Sequence, residues 1–160
     1  MNHEALTRLE TLYRDVGPDL LSYLRRAAGD LHTAEDLLHE TFLHAARRME
    51  RLSQAVSVRA WLYAIARNVA ATAYRRKRGT ERLPAELPDS AATDDPRMAR
   101  LRDAVASLPE TLRETLELRL RDELSYEEIA DVLQIPVGTV RSRLHHALER
   151  LRAALVGNAP

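Results

Sequence analysis

The chain has no cysteine, which removes disulfides, thiol catalysis and the usual zinc fingers in one step and is compatible with any redox compartment. Aromatic residues are nearly as scarce. With one Phe and one Trp in 160 residues, the core has to be mostly Leu, Ala and Val, which favours helices. No run of about 18 apolar residues occurs, and the N-terminus has neither a basic stretch nor an apolar one of the kind that directs export. The expectation is a cytoplasmic protein with no membrane insertion. There is no phosphate-cradling glycine loop, and the scattered Ser and His residues show no arrangement for a nucleophile. The segment His39-Glu40-Thr41-Phe42-Leu43-His44 superficially resembles a zinc-protease signature, but its histidines are five residues apart rather than four, so they cannot share one metal along a helix face. No catalytic residue, metal, cofactor or small-molecule substrate is expected.

Net charge is also missing: 24 basic side chains balance 24 acidic ones, which at first sight argues against a nucleic-acid partner. The distribution says otherwise. Residues 1–50 carry a net −3, 51–82 carry +7, 83–103 carry −2, 104–133 carry −5 and 134–160 carry +3. Two basic segments alternate with acidic ones, so the chain should present two separate anion-seeking surfaces.

Helical periodicity runs through most of the sequence. Leu6, Leu9, Leu12 and Tyr13 mark an amphipathic helix ending near Gly17; Pro18 opens a second, with Leu20, Leu21, Leu24 and Ala28 continuing to Gly29. Thr33 and Asp36 suggest the cap of a third helix, which buries Leu37, Leu38, Phe42, Ala45 and Met49 and exposes Asp36, His39, Glu40 and His44. Ser53 to Ser57 form a short polar link. Trp61, Leu62, Ile65, Ala66 and Val69 then mark a long helix that ends in Tyr74-Arg75-Arg76-Lys77-Arg78 and holds most of the +7 block. From Gly79 to Pro96, three prolines and the acids Glu86, Asp89, Asp94 and Asp95 read as a linker. Periodicity resumes with Met98, Leu101, Val105 and Leu108, and Pro109 starts a helix carrying Leu112, Leu116 and Leu120.

The stretch from Leu124 to Leu151 has the pattern of a helix-turn-helix. Ser125 and Glu128 form a capping box at the start of a short helix with Ile129, Ala130 and Leu133 on one face. Gln134-Ile135-Pro136 interrupts it, because the residue before a proline is pushed out of the helical region. Pro136 opens the next helix, whose apolar stripe is Val140, Leu144, Ala147, Leu148, Leu151 and Leu155. Its other face carries Thr139, Arg141, Ser142, His145, His146 and Arg152, side chains able to reach phosphates and base edges from the major groove. Gly138 and Ser142 are small where a groove would be approached. The fold class is all-α: two small helical domains, 1–78 and 97–160, joined by a flexible linker at 79–96.

In this order and spacing the motifs resemble bacterial RNA polymerase sigma factors of the extracytoplasmic-function type, built from sigma regions 2 and 4 with a linker between them. Ala34 to Ala45 is similar to the family's clamp-binding helix, Arg59 to Arg78 to its promoter-reading helix, and Leu108 to Leu155 to region 4 almost throughout. The resemblance implies that Asp36, His39, Glu40 and Phe42 contribute to polymerase docking, although Phe42 lies on the apolar stripe and reads more readily as core. It implies that Asn68, Arg75 and Arg76 approach the proximal promoter element, while Ser53 and Gln54 lie in the loop that holds an unstacked base. Trp61 reads as core packing rather than a stacking platform. Thr139, Arg141, Ser142, His145 and His146 are implied to contact the upstream element, with Arg143 to the side touching phosphate. Three positions depart from the family pattern: His39 where Gln is usual, Thr72 where Asp is common, and Gln134 where the turn usually has Gly. The expected function is a promoter-specificity subunit that binds core polymerase and promoter DNA and is held by an anti-sigma factor. The alternatives are a free-standing helix-turn-helix regulator and a sigma-mimicking interaction protein.

Overall fold

A computed structural model describes residues 2–78 and 95–157. Every regular element among them is helical, and they fall into two units. The first holds α1 (His3–Ala28), α2 (Leu31–Arg47), a short 3-10 turn (Met49–Gln54) and α3 (Val58–Lys77); the second holds α4 (Pro96–Ala106), α5 (Glu110–Leu120), α6 (Tyr126–Leu133) and α7 (Val137–Gly157). Residues 79–94 of the expected linker lie outside the described residues. Its last two residues open α4, with Asp95 as the cap and Pro96 in the first turn.

One expectation fails in α1, where no break occurs at Gly17-Pro18: a single helix runs for 26 residues with Pro18 inside it. An interior proline loses a hydrogen bond and crowds the preceding turn, at a cost of about 3 kcal/mol. Here Leu9, Gly17, Leu20 and Leu24 form one buried stripe against α2 and α3. Leu20 and Leu24 are fully buried, and each such side chain contributes about 1.5–3 kcal/mol, enough to offset the proline. The helix stops at Gly29, which takes the left-handed conformation (φ 88°) that a side chain would resist.

The start of α2 also differs. Its cap is Asp30 rather than Thr33: Asp30 Oδ1 accepts a 2.8 Å bond from the Thr33 N–H. Because Asp caps as well as Thr and follows directly on Gly29, the helix gains three residues. Ala34, Leu37, Leu38 and Ala45 are buried, and the fully buried Thr41 is satisfied by donating to the Leu37 carbonyl at 2.7 Å. Phe42 and Met49 are only half-buried. Phe42 sits at the edge of the unit, edge-on to Tyr13 with ring centroids 5.0 Å apart, and Met49 lies past the end of α2 in the 3-10 turn.

Ser57 caps α3 by accepting from the Ala60 N–H at 2.9 Å. Trp61, Leu62, Tyr63, Ile65, Ala66 and Val69 are all buried, which settles Trp61 as core. Tyr63 packs edge-on to Tyr23 at 5.3 Å, and Arg59 covers the Tyr63 ring while bonding Asp19 of α1 at 2.8 Å.

In the second unit the capping box forms as expected, with Ser125 Oγ accepting from the Glu128 N–H and Glu128 accepting from the Ser125 N–H, both at 3.1 Å. Ile129, Val132 and Leu133 are buried, Val132 taking the place expected for the half-buried Ala130. Gln134 is left-handed (φ 54°, ψ 49°) and makes the turn. The Pro136 carbonyl then accepts the first bonds of α7, from Thr139 and Val140, and the helix proper begins at Val137. Val140, Leu144, Ala147 and Leu151 are buried as the stripe requires, but Leu148 is 51% exposed and Leu155 36%. At 21 residues, α7 is roughly twice as long as the 8- to 11-residue helices packed on it, so its later turns outrun their cover. In α5, Leu118 is buried instead of Leu120, which is 66% exposed.

A second left-handed residue, Glu123 (φ 56°), links α5 to α6. This conformation costs about 1 kcal/mol for a residue with a Cβ, partly balanced by glycine's freer unfolded chain. Glu123→Gly is therefore expected to raise unfolding stability by about 0.5 kcal/mol. Gln134→Gly should gain less, because it gives up the side-chain bond from Gln134 Nε2 to the Asp131 carbonyl. Chemical denaturation measures both, and a loss of stability in Glu123→Gly would contradict the strain.

Hydrogen bonds from the Thr33 backbone and then its side chain hold the Asp30 carboxyl below its ordinary range. A depressed folded pKa means that the cap is fully effective above the ordinary carboxylate pKa and is lost as pH falls through the lowered value. Asp30→Asn keeps the acceptor without the charge. The protection of the Thr33 amide relative to the unfolded chain is expected to fall with acid in the parent and to stay level in the variant; parallel protection profiles would contradict the assignment.

Candidate nucleic-acid interface

Burying one side of α3 leaves the opposite side to solvent. Asn68 and Arg75 are exposed and Thr72 is half-buried between them, at steps of four and three residues that place them on one face. Arg75 reaches the Thr72 hydroxyl at 3.4 Å. Arg76, Lys77 and Arg78 are exposed beside it, at the helix end where the dipole favours cations. Ser53 and Gln54 are exposed too, but they belong to the 3-10 turn rather than to an open link, and Ser53 bonds back weakly to the Glu50 carbonyl at 3.4 Å. Next to them Val56 is 58% exposed, an apolar side chain in a place where sequence periodicity gives no signal.

On α2, Asp36 and His39 are exposed and Glu40 is half-exposed on one face. Asp36 lies 3.8 Å from His32, and Glu40 lies 3.7 Å from His44. Phe42 stands off this face, on the seam with α1. Leu43 is the residue that joins it: 59% exposed, one turn from Glu40 and His39, and invisible to a search for charged residues.

On α7, Arg141, Ser142, His145 and His146 are all exposed within two turns, while Thr139 and Arg143 are half-buried at the flanks. His145 Nε2 lies 3.2 Å from Glu149 Oε1, and the His145 and His146 rings are 5.9 Å apart. His146 turns toward α5, lining an open groove of about 420 Å³ with Leu112, Glu149, Arg150 and Ala153. Arg152 is exposed two turns beyond His145. A Cβ on Gly138 would meet nothing within 4 Å, so the chain's own packing does not demand a small residue there. The short α6 and its left-handed exit set α7 so that the outer side of its N-terminal turns, opposite the buried Val140 and Leu144, faces solvent. Arg119 supports that junction, lying 5.2 Å over the Tyr126 ring and donating to the Leu124 carbonyl at 3.0 Å.

Among the described residues, no three His, Asp or Glu side chains converge as a metal site would require, and no helix is long and apolar enough to cross a membrane. The chemistry on offer is that of guanidinium, hydroxyl, amide and imidazole donors held on two helices, suited to phosphates and base edges.

Comparison with known proteins agrees with this arrangement. Residues 12–80 match the family described as Sigma-70 region 2, and residues 98–151 match Sigma-70, region 4. The RNA polymerase sigma-H factor of Pseudomonas aeruginosa is 36% identical over 160 residues, spanning 85% of this chain and 80% of that one. The ECF RNA polymerase sigma factor SigC of Mycobacterium tuberculosis is 37% identical over 131 residues, spanning 78% and 71%. Among solved structures, CnrH in complex with the cytosolic domain of CnrY superposes with a TM-score of 0.65 at 25% identity, over 94% of this chain and 89% of that one. The sigma factor RpoE from Bartonella quintana, solved with the anti-sigma factor NepR, gives a TM-score of 0.68 at 23% identity, over 94% and 98%, and shares the fold. With α1 to α3 matching region 2, α4 to α7 matching region 4 and relatives of this identity spanning both, the chain belongs to the sigma-70 family as a sigma factor of the extracytoplasmic-function type.

Proposed function

We propose that this sigma factor reads two promoter elements through separate helices, α7 on the upstream element and the α3 face with its neighbouring turn on the proximal one, while core polymerase does the chemistry. The observation that carries this reading is the pair of exposed cationic faces, Asn68 to Arg76 and Arg141 to His146, in a chain without net charge. The working division is 1–78 as region 2, 79–96 as the tether and 97–160 as region 4.

On the upstream element, Arg141 offers two parallel donors to a guanine edge, Ser142 and His145 complete the base contacts, and Thr139, Arg143 and His146 hold phosphates on either side. On the proximal element, Arg75 and Arg76 take phosphates and Asn68 faces the bases. Ser53 and Gln54 cradle a base that has left the stack. Unstacking one base costs a few kcal/mol, and binding the single-stranded form offsets it, so opening needs no ATP. Asp36, His39 and Glu40 form the polymerase-docking face of α2, and Phe42 adjoins it from the seam with α1. Apolar Leu43 at its centre and acids around it suit a partner surface of opposite charge. An anti-sigma factor covering such faces holds the protein inactive in the cytoplasm. The RpoE structure solved with the anti-sigma factor NepR, which shares this fold, supports that regulation.

Run-off transcription tests the reading. Purified core polymerase with this chain is expected to give a promoter-dependent transcript that core alone does not make; failure of the two to associate would contradict it. Within the same assay, Arg141→Ala is expected to cost about 1–3 kcal/mol of binding to the cognate site and to relax preference at one base pair. Arg143→Ala should weaken all sequences alike and lower the salt slope by about one. Equal losses on cognate and random DNA from Arg141→Ala would overturn its assignment to base reading.

A further inference from the structure

Of the 24 basic side chains, 23 are arginine, and the one lysine, Lys77, stands in the last turn of α3. A lone lysine in an arginine-rich chain is ordinary on composition alone; its surroundings here are not. Wherever else the chain needs a permanent cation it uses a guanidinium, which stays protonated in water, whereas an amine can lose its proton and accept an acyl group. Lys77 is exposed, and so are Arg75, Arg76 and Arg78 around it. One residue turns a helix by about 100°, so Arg76 and Arg78 stand on either side of Lys77, with side chains long and flexible enough to bring their planar forks to one small anion. The amine also has a fixed neighbourhood. Asp30, whose carboxyl is held down first by the bonds from Thr33, also feels the Lys77 charge, which places the amine near the start of α2 rather than on a trailing end.

An amine between two guanidiniums suits an acyl phosphate. A guanidinium bonds phosphate oxygens through paired N–H groups, and in such a donor the acyl carbon is one oxygen away from the phosphorus, within range of Lys77 Nζ. A thioester donor of the coenzyme A kind carries its phosphates far from the acyl carbon, so the same guanidiniums would not align it. In the reaction the ammonium first releases a proton to solvent. The neutral nitrogen attacks the acetyl carbonyl carbon and an N–C bond forms. The bond from that carbon to the bridging oxygen breaks, its electron pair goes to the departing phosphate, and the second nitrogen proton leaves with it as hydrogen phosphate. The product amide is uncharged and no longer attracts a DNA phosphate. The other cationic face, Arg141 to His146, holds no lysine and has no amine to form a lasting amide.

We propose that Lys77 is an acylation site, modified by an acyl phosphate such as acetyl phosphate that Arg76 and Arg78 bind through its phosphate, and that acetylation weakens the α3 face while sparing α7. The effect on DNA rests on the promoter-reading function above; the modification itself does not. A single amine gives the two faces different chemistry, so the supply of acyl phosphate sets how firmly α3 holds DNA and leaves the upstream reader untouched.

The full chain incubated with acetyl phosphate and mapped by peptide mass spectrometry is expected to carry an acetyl group on Lys77, at a rate that saturates with donor and falls when inorganic phosphate is added. Arg76→Gln combined with Arg78→Gln should slow acetyl phosphate severalfold more than it slows the N-hydroxysuccinimide ester of acetate, which has no phosphate. A rate strictly proportional to donor, indifferent to inorganic phosphate and to both arginines, would overturn the site. For the effect on DNA, parent and Lys77→Arg chains are treated, freed of donor and assembled with core polymerase. Treated parent should bind promoter DNA roughly threefold to tenfold more weakly, with the salt slope lowered by about one, and should still protect the upstream element. Lys77→Arg should bind like untreated parent both before and after treatment. Unchanged affinity of the treated parent, an equal loss in treated Lys77→Arg, or a loss of polymerase assembly would overturn the regulation. Parent holoenzyme that binds promoter and random DNA equally would instead overturn the promoter-reading function, leaving the acetylation result standing.

Discussion

A helix in a small domain buries one stripe, and this constraint determines what the other side can do. In α3 the stripe of Trp61, Leu62, Ile65, Ala66 and Val69 is so fully committed to the core that Asn68, Arg75 and Arg76 have no interior to turn to. In α7 the stripe of Val140, Leu144, Ala147 and Leu151 does the same for Arg141, Ser142 and His145. Neither face neutralises its cations against a dense set of acids in its own helix; Glu149 beside His145 is the one acid in the whole segment 134–160. The charge is left available to an outside polyanion, and hydrophobic burial is what aims it.

Two junctions convert that availability into geometry. The Ser125–Glu128 capping box fixes where α6 begins, and the left-handed Gln134 fixes where it ends, so that a helix of only eight residues can hold α7 at a set angle. Glu123 does the equivalent work on the other side of α6. Both left-handed positions carry a side chain where glycine would be relaxed, a small strain kept in the motif that positions the reading helix.

Much of this was legible in the amino-acid order. The capping box, the glycine stop at Gly29, the core role of Trp61 and the exposed faces at Asp36, Asn68 and Arg141 all follow from local patterns, because caps and stripes are encoded within a few residues. The misreadings share a cause. Whether Pro18 breaks a helix, whether Leu148 and Leu155 are covered, and whether Leu118 or Leu120 is buried depend on which element lies opposite and how long it is, and no local window contains that. Asp30 was missed for a simpler reason: a Thr with an acid three residues on competed with an equally good cap just upstream. Leu43 and Val56 escaped because exposed apolar residues carry no periodic signal; only a structure shows them uncovered.

The central claim is that two helical units of one chain address two different segments of a promoter. Its cysteine-free sequence makes a direct measurement clean, since a single introduced thiol can carry a DNA-cleaving reagent without background. Attached through Arg78→Cys in one preparation and Arg152→Cys in another, in complete holoenzyme on promoter DNA, the reagent should cut two separate segments, the proximal one from the first and the upstream one from the second. Cuts from both positions falling on the same segment, or scattered without preference, would contradict the account.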